Sequence, residues 1–279
     1  MRKLFTYILI GGMLLGLTAC GKAAPKDAAE LINTWQEKEH KDITLDIKAD
    51  FYSNFIINDK ESSINVTLKS NTKSKNQTET IKLDNTIEYS IMTTGEDLAS
   101  ILMPKDTTGN IKAIIDINKD KNTATSYIKQ ENEDYIKSSV DIDKEAIKLL
   151  TDFKLNPENF TLEKETKTVN NVKCYVVSGK LTTKDFTDIK DIPDIEFPVT
   201  LYFKADDNRD LFAIDINLKE TLSPAVNSLL KNSTITGIEK FELNVEEARI
   251  QLYNISTAEI PTIYIPTATI SDEETSVSP

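Results

Sequence analysis

Ile43, Leu45, Ile47, Ala49 and Phe51 alternate without a break with Thr44, Asp46, Lys48 and Asp50. A repeat of two residues places every apolar side chain on one face of a strand and every polar one on the other. The same alternation returns in Ile64, Val66 and Leu68, in Ile87, Tyr89 and Ile91, and in Ile111, Ala113, Ile115 and Ile117. Such strands are half-buried, and strands of this kind belong to antiparallel sheets with one face packed and one in water. Thr123 to Val140 reads as two further short strands. Phe160 to Val169 and Val172 to Thr182 flank Asn170-Asn171, a pair suited to the positive φ of a tight hairpin. Val199, Leu201 and Phe203 lead through Asp206-Asp207-Asn208-Arg209 into Phe212, Ile214, Ile216 and Leu218, and Phe241 to Leu252 with Ile263 to Ile265 completes the strand set.

Helical spacing is confined to few places. Asp27 to Glu39 has Asp27 as N-cap, Glu30 three residues on, and Leu31, Ile32 and Trp35 on one face. A short helix is expected around Leu98, Ile101 and Leu102, and another over Asp143 to Phe153 with Ile147, Leu150 and Phe153 inward. Ser223-Pro224 offers an N-cap and first helical position for a helix with Val226, Leu229 and Leu230. Many strands with few crossover helices predict an α+β domain built on one large curved antiparallel sheet.

The start of the chain has a different grammar. Met1, Arg2 and Lys3 form a positive region, and Leu4 to Leu17 an apolar one of fourteen residues. A bilayer-spanning helix needs about 20 apolar residues, so this segment has the layout of a secretory signal. It ends in Leu17-Thr18-Ala19-Cys20, which resembles the bacterial lipobox. A thiol at Cys20 takes a permanent diacylglyceryl thioether, and cleavage before it frees an amine for a third acyl chain of the palmitate type. Two or more chains suffice for stable anchoring. The expected organisation is a signal peptide over 1–19, a lipidated linker over 20–26, one domain over 27–270 and a polar, disordered tail over 271–279. The expected location is the extracytoplasmic face of the cell membrane.

Loss of residues 1–19 removes Arg2 and Lys3 but no acid, taking the formal charge from −12 to −14. So acidic a domain does not favour nucleic acid. Once Cys20 carries lipid, Cys174 is left alone and no internal disulfide is possible. Cys174 alternates with Val172 and Val176, as a buried small hydrophobe would. His40 is the only histidine and lies just past the first helix, where a cation suits the helix C-terminus. With one histidine and one free cysteine, zinc sites and Ser-His or Cys-His pairs lack raw material. Asp116-x-Asn118-x-Asp120-x-Asn122 imitates the start of a calcium loop, but Lys121 stands where glycine is needed and Tyr127 where glutamate is, so a solvated turn is expected. Asp188, Asp191, Asp194 and Glu196 read as an acidic loop. No catalytic residue, metal or cofactor is expected.

The lipobox, the helix around Leu31 and Trp35 leading directly into the strand Ile43 to Phe51, and the middle helix followed by Asn156-Pro157-Glu158-Asn159-Phe160 together resemble the LolA-like superfamily of half-barrel lipid carriers. That superfamily includes the mycobacterial LprG and LppX lipoproteins and related Firmicute lipoproteins. Val169 to Val177 is similar to its pattern of a turn followed by a strand bearing a tyrosine, here Tyr175, with Asn170-Asn171 where glycine is usual. The resemblance implies a half-barrel of about eleven strands whose concave side, partly plugged by helices, holds acyl chains or another apolar ligand. Eleven strands at about 4.8 Å span roughly 50 Å, whereas three helices about 10 Å across cover roughly 30 Å. The uncovered difference is either a ligand surface or is closed by loops and curvature. The candidates for the ligand surface are Ile47, Phe51, Ala113, Ile115, Phe203 and Ile214. Two functions are open: a non-enzymatic lipoprotein holding a lipid or other apolar ligand, and an envelope interaction lipoprotein with a filled cavity that docks a protein partner.

Overall fold

The computed structural model describes residues 24–38, 40–57, 59–95, 106–144, 147, 154–185, 195–231 and 241–270. The expected signal segment and Cys20, the helix expected at 98–102, most of the helix expected at 143–153, Asp188 to Asp194 and the tail from 271 lie outside the described residues.

In chain order the elements are α1 (Ala28–Gln36), β1 (Asp42–Ile57), β2 (Lys60–Asn76), β3 (Thr80–Thr94), β4 (Thr107–Asn118), β5 (Thr123–Gln130), β6 (Ile136–Asp141), β7 (Phe160–Leu162), β8 (Lys167–Val169), β9 (Val172–Thr182), β10 (Glu196–Lys204), β11 (Leu211–Asn217), α2 (Lys219–Lys231), β12 (Phe241–Ser256) and β13 (Thr269–Ile270). The thirteen strands form one sheet in the order β13-β6-β5-β4-β3-β2-β1-β12-β11-β10-β9-β7, with β8 also on β9. The sheet is an open half-barrel, as expected. Every pairing is antiparallel except the two-residue β13 against β6. Two differences raise the strand number above eleven. The expected strand Phe160 to Val169 is broken into β7 and β8: Glu163 N still donates to Val176 O in the β7 register, but the register against β9 then shifts by two residues before Lys167 opposes Cys174. The end of the chain adds β13.

The predicted turn chemistry is present. Asn170 and Asn171 both hold positive φ between β8 and β9. Asp206 Oδ1 accepts from Asn208 N and Arg209 N, which fixes the β10–β11 turn. In α1, Asp27 accepts from Glu30 N, and Glu30 in turn accepts from Lys26 N and pairs with the buried Arg209. Leu31 and Ile32 are fully buried against Val177, Leu201, Phe203 and Leu211. Burial of each is worth about 1.5–3 kcal/mol.

Three register shifts interrupt the alternation, the first where Thr44 faces Ser256 but Asp46 faces Tyr253. In β12, Tyr52 faces Glu247 while Ser53 faces Val245, so the apolar phase passes from Leu243 and Val245 to Ala248, Ile250 and Leu252. In β11, Tyr202 faces Ala213 while Phe203 faces Leu211, leaving Phe212 unpaired. Phe212, expected on the same face as Ile214, instead packs with Cys174 and Tyr202 on the other.

The last helix begins earlier than its sequence signal. Asn217 Oδ1 accepts from Lys219 N, and Leu218 O accepts from Thr221 N and Leu222 N. Pro224 therefore lies inside the helix rather than at its first position, with no N–H for the preceding turn. Ser223 Oγ, free of capping duty, accepts from Val245 N, and the Asn227 amide both donates to Leu243 O and accepts from Leu243 N. α2 thus hydrogen-bonds the part of β12 that runs beyond its ladder with β11, which spans only Arg249 to Leu252.

After β12 the chain does not close the sheet at Ile263 to Ile265. It crosses one face as an irregular strap, with Ile260 and Ile263 buried on Ile114 and Tyr127, before reaching β6. A latch holds its start: Asp42 accepts from Ile260 N (2.8 Å) and Lys75 Nζ (3.0 Å), and Lys75 also donates to Ile260 O (3.0 Å). Burial disfavours the charged form of Asp42, but the Ile260 N–H and the Lys75 ammonium outweigh it and hold the carboxyl below its ordinary range. The Lys26 N–H, followed by Arg209, does the same for Glu30. Carboxyls depressed on folding stabilise above their unfolded pKa of about 4, and that stability is lost as pH falls through the folded value. Denaturation midpoints should therefore fall steeply below about pH 4. Asp42→Asn should lower stability at pH 7 by about 1–3 kcal/mol and flatten this acid limb.

Candidate ligand-binding face

Register alone places the six candidate residues on one face. Leu201 opposes Ile214, Ile214 opposes Leu252, and Leu252 opposes Ile47. Ile47 opposes Ser70, which opposes Ile87, which opposes Ile111. Because side chains two apart share a face, Phe203 joins Leu201, Phe51 joins Ile47, and Ala113 and Ile115 join Ile111. The helices lie on this same face.

The cover is uneven. At the β9–β11 end, α1 seals Phe203, which is fully buried, with Ile214 packed against the same core. Near the middle, Leu222 of α2 and Leu218 just before it pack with Phe51, Phe55 and Leu243. Toward the other end, Ile147 covers Ile81 and Ile117, with Ile115 alongside. Ile147 N donates to Asp143 O, one helical hydrogen bond of the expected middle helix. Between these covers Ile47, Ala49, Leu68, Ile87, Tyr89 and Ile111 are only half-buried. Ala113 is buried and continues this stretch. Tyr89 opposes Gly109, and a Cβ on Gly109 would stand 2.7 Å from the Tyr89 hydroxyl, so glycine is what lets the ring lie across β4. Two buried polar atoms associated with this face have no hydrogen-bond partner: the Trp35 indole nitrogen on α1, and the hydroxyl of Thr93, which opposes Ile64.

Apart from Ile114 under the strap, the opposite face is mostly polar over β1 to β4. Asp46 accepts from Asn71 and Asn254, each at 2.8 Å, Lys48 pairs with Asp50, and Arg249 pairs with Asp215. Cys174 sits on this side, fully buried with Phe212 and Ala213. Burial, the largest influence, pushes its thiol up to about 11. Ala49, Leu68, Ile87, Tyr89 and Ile111 belong to the half-buried stretch but were not among the sequence candidates. Their alternation marked them as inward, yet which residues they oppose follows only from the pairing.

His40 Nε2 donates to Trp35 O (2.8 Å), at the end of α1, and its ring stacks on Trp35 at 4.6 Å. The Asp116 to Asn122 segment forms the β4–β5 turn, closed by Lys121 N donating to Asn118 Oδ1. Among the described residues no group of three or more His, Cys, Asp or Glu is placed to hold a metal ion. Glu196, the described member of the acidic loop, pairs with Lys180. No described helix is long and apolar enough to cross a membrane.

No protein-family model matches the sequence, and no curated protein matches it. Solved structures do. LprF from Mycobacterium bovis is 12% identical, with a TM-score of 0.44 over 87% of this chain and 97% of that one. The lipoprotein LppX from Mycobacterium tuberculosis is 9% identical, with a TM-score of 0.37 over 85% of this chain and 97% of that one. A DUF1329 family protein from Desulfovibrio piger is 11% identical, with a TM-score of 0.25 over 82% and 90%.

The Cys174 environment makes a chemical prediction. With a thiol titrating near 11 and no exposed surface, the folded chain should resist iodoacetamide at pH 8, where a free cysteine near 8.5 reacts readily. Alkylation on mass analysis should appear only after denaturant is added.

Proposed function

We propose that the chain is a lipoprotein, anchored through Cys20 to the extracytoplasmic face of the cell membrane, that holds an acyl chain or similar apolar ligand on the helix-bearing face of its sheet. The observation that carries this reading is the half-buried apolar stretch of Ile47, Ala49, Leu68, Ile87, Tyr89 and Ile111 lying between three separate covers. Leaving such surface wet costs about 25 cal/mol per Å², and a ligand removes that cost. Phe51, Ala113, Ile115 and Ile214 border the stretch, and Phe203 forms the sealed floor at one end. Binding of this kind needs no catalytic group.

The full chain, extracted in mild detergent, should show added mass by native mass spectrometry that disappears after organic extraction. Leu68 and Lys69 are neighbours on opposite faces, so Leu68→Glu should remove most of the added mass while Lys69→Glu leaves it unchanged. A charge set against apolar surface is what makes the first variant differ. Equal retention in both variants, or an apo mass for the unaltered chain, would overturn the ligand reading.

The anchor is tested separately. Cys20→Ala should release the protein from the membrane fraction or leave it uncleaved, and a processed, membrane-bound form of that variant would overturn the lipid anchor.

A further inference from the structure

Six large apolar side chains are exposed among the described residues, and five of them gather at one edge of the sheet. Ile128, Ile136 and Val140 stand on the helix-bearing face of β5 and β6, where Ala113 opposes Ile128 and Ile128 opposes Ile136. They are 42%, 48% and 59% exposed. Tyr264, 81% exposed, and Ile265 lie on the strap, between Ile263 buried beside Tyr127 and Thr269 paired to Ile136. Tyr127 is on the other face, so the edge is apolar on both sides.

We propose that this edge inserts shallowly into the interfacial layer of a lipid bilayer and forms the rim over which the apolar ligand reaches the helix-bearing face. The second half of the statement rests on the ligand reading above. Three observations select a bilayer as the occupant. Exposed side chains carried both by the helix-bearing face and by the strap at one edge are not covered by a single flat protein surface, whereas a fluid medium closes around both. A second copy pairing edge to edge meets an obstacle, since β13 already occupies Ile136 and Lys137 of the six-residue β6. The rim is also continuous with the ligand face, through Ile136, Ile128 and Ala113.

Depth and headgroup preference follow from the flanking groups. Glu131, Glu133 and Asp134 are exposed in the β5–β6 turn, and Lys129 stands over the Tyr135 ring at 5.3 Å. These charges stay in water, and so does the strand backbone beside them. Only the branched aliphatic tips and the Tyr264 ring reach the headgroup and upper acyl layer, about 5–10 Å deep. The acidic turn disfavours anionic headgroups.

The experiment uses the full chain reconstituted in phosphatidylcholine vesicles, with an environment-sensitive dye on Val140→Cys and, as control, on Thr161→Cys at the opposite edge of the sheet. The buried Cys174 does not compete for label. Brominated acyl chains should quench the dye at 140 by several-fold more than at 161, and replacing half the lipid by phosphatidylglycerol should weaken that quenching. Ile136→Glu combined with Val140→Glu should slow transfer of a fluorescent fatty acid from vesicles by about tenfold, with the amount bound at saturation unchanged. Equal quenching at the two positions overturns the membrane rim, as does quenching at 140 that appears only when another envelope protein is added. Normal transfer by the double variant overturns the entry route. If the chain takes up no fatty acid at all while position 140 is quenched, the ligand reading fails and the membrane contact stands.

Discussion

The pairing of β1 with β12 is the contact on which the architecture depends. β1 runs for sixteen residues and is paired along its length on both sides, to β2 from Asp42 to Ile57 and to β12 from Thr44 to Ile57. One partner is local and the other lies about two hundred residues away along the chain. Closing so long a loop costs only slowly growing entropy, and the return is that β2 to β6 and β7 to β11 become one surface. Without β12 against β1 there would be two small sheets, each with a raw edge and an apolar face too narrow to share cover.

A continuous face imposes a covering problem. Apolar side chains on this sheet extend from Leu181 on β9 to Ile136 on β6, while the described cover comes from α1, α2 and Ile147 at separate places. α1 covers best, because Leu31 and Ile32 insert where Val199, Leu201 and Phe203 have no exposed surface left. α2 is held partly by polar bonds from Ser223 and Asn227 to the β12 backbone, a use of its surface that serves the strand edge. Between them the face is left half-covered, and the polar atoms of Trp35 and Thr93 are left unpaired. Buried groups of that kind are costly unless something meets them.

The alternation in Ile43 to Phe51 and its repeats carried most of this. It located the strands, put Ile47, Phe51, Ala113, Ile115, Phe203 and Ile214 on the inward side, and left Cys174 as a buried hydrophobe, while Asp27, Glu30 and Asn170-Asn171 marked a cap and a hairpin. Bulges are harder to see. Phe212 obeys the period in the sequence and breaks it in the fold, since one unpaired residue reverses the facing of whatever precedes it. Pro224 after Ser223 is an ordinary helix start by local rules, overridden by the Asn217 cap and by the backbone bond from Leu218 to Ala248. The difference between sealed Phe203 and half-buried Ile47 was also out of reach, because it depends on where α1 lands and not on either residue's own pattern. The strap could not be anticipated from Ile260, Ile263 and Ile265 alone, as its course is set by Asp42 and Lys75 far back in the chain.

The two edges of the sheet are finished differently. At one end β7 and β8 are three residues each, and Gly179 admits the Phe160 ring so closely that a Cβ there would stand 2.4 Å from it. Short strands and a ring folded over its own neighbour leave little for another chain to pair with. At the other end β6 receives only two residues of β13, in parallel, and carries apolar side chains into solvent. An open sheet must end twice, and a chain able to blunt one end with β7 and β8 had the same means available for the other. The strap reaches β6 at Thr269 and Ile270 and leaves Tyr264 exposed on the way. The exposed end is also the one adjoining Ala113 and the half-covered stretch, while the blunted end adjoins the core sealed by α1. Exposure and incomplete cover therefore fall on the same half of the sheet, and that coincidence ties the rim to the ligand face more strongly than either feature would alone.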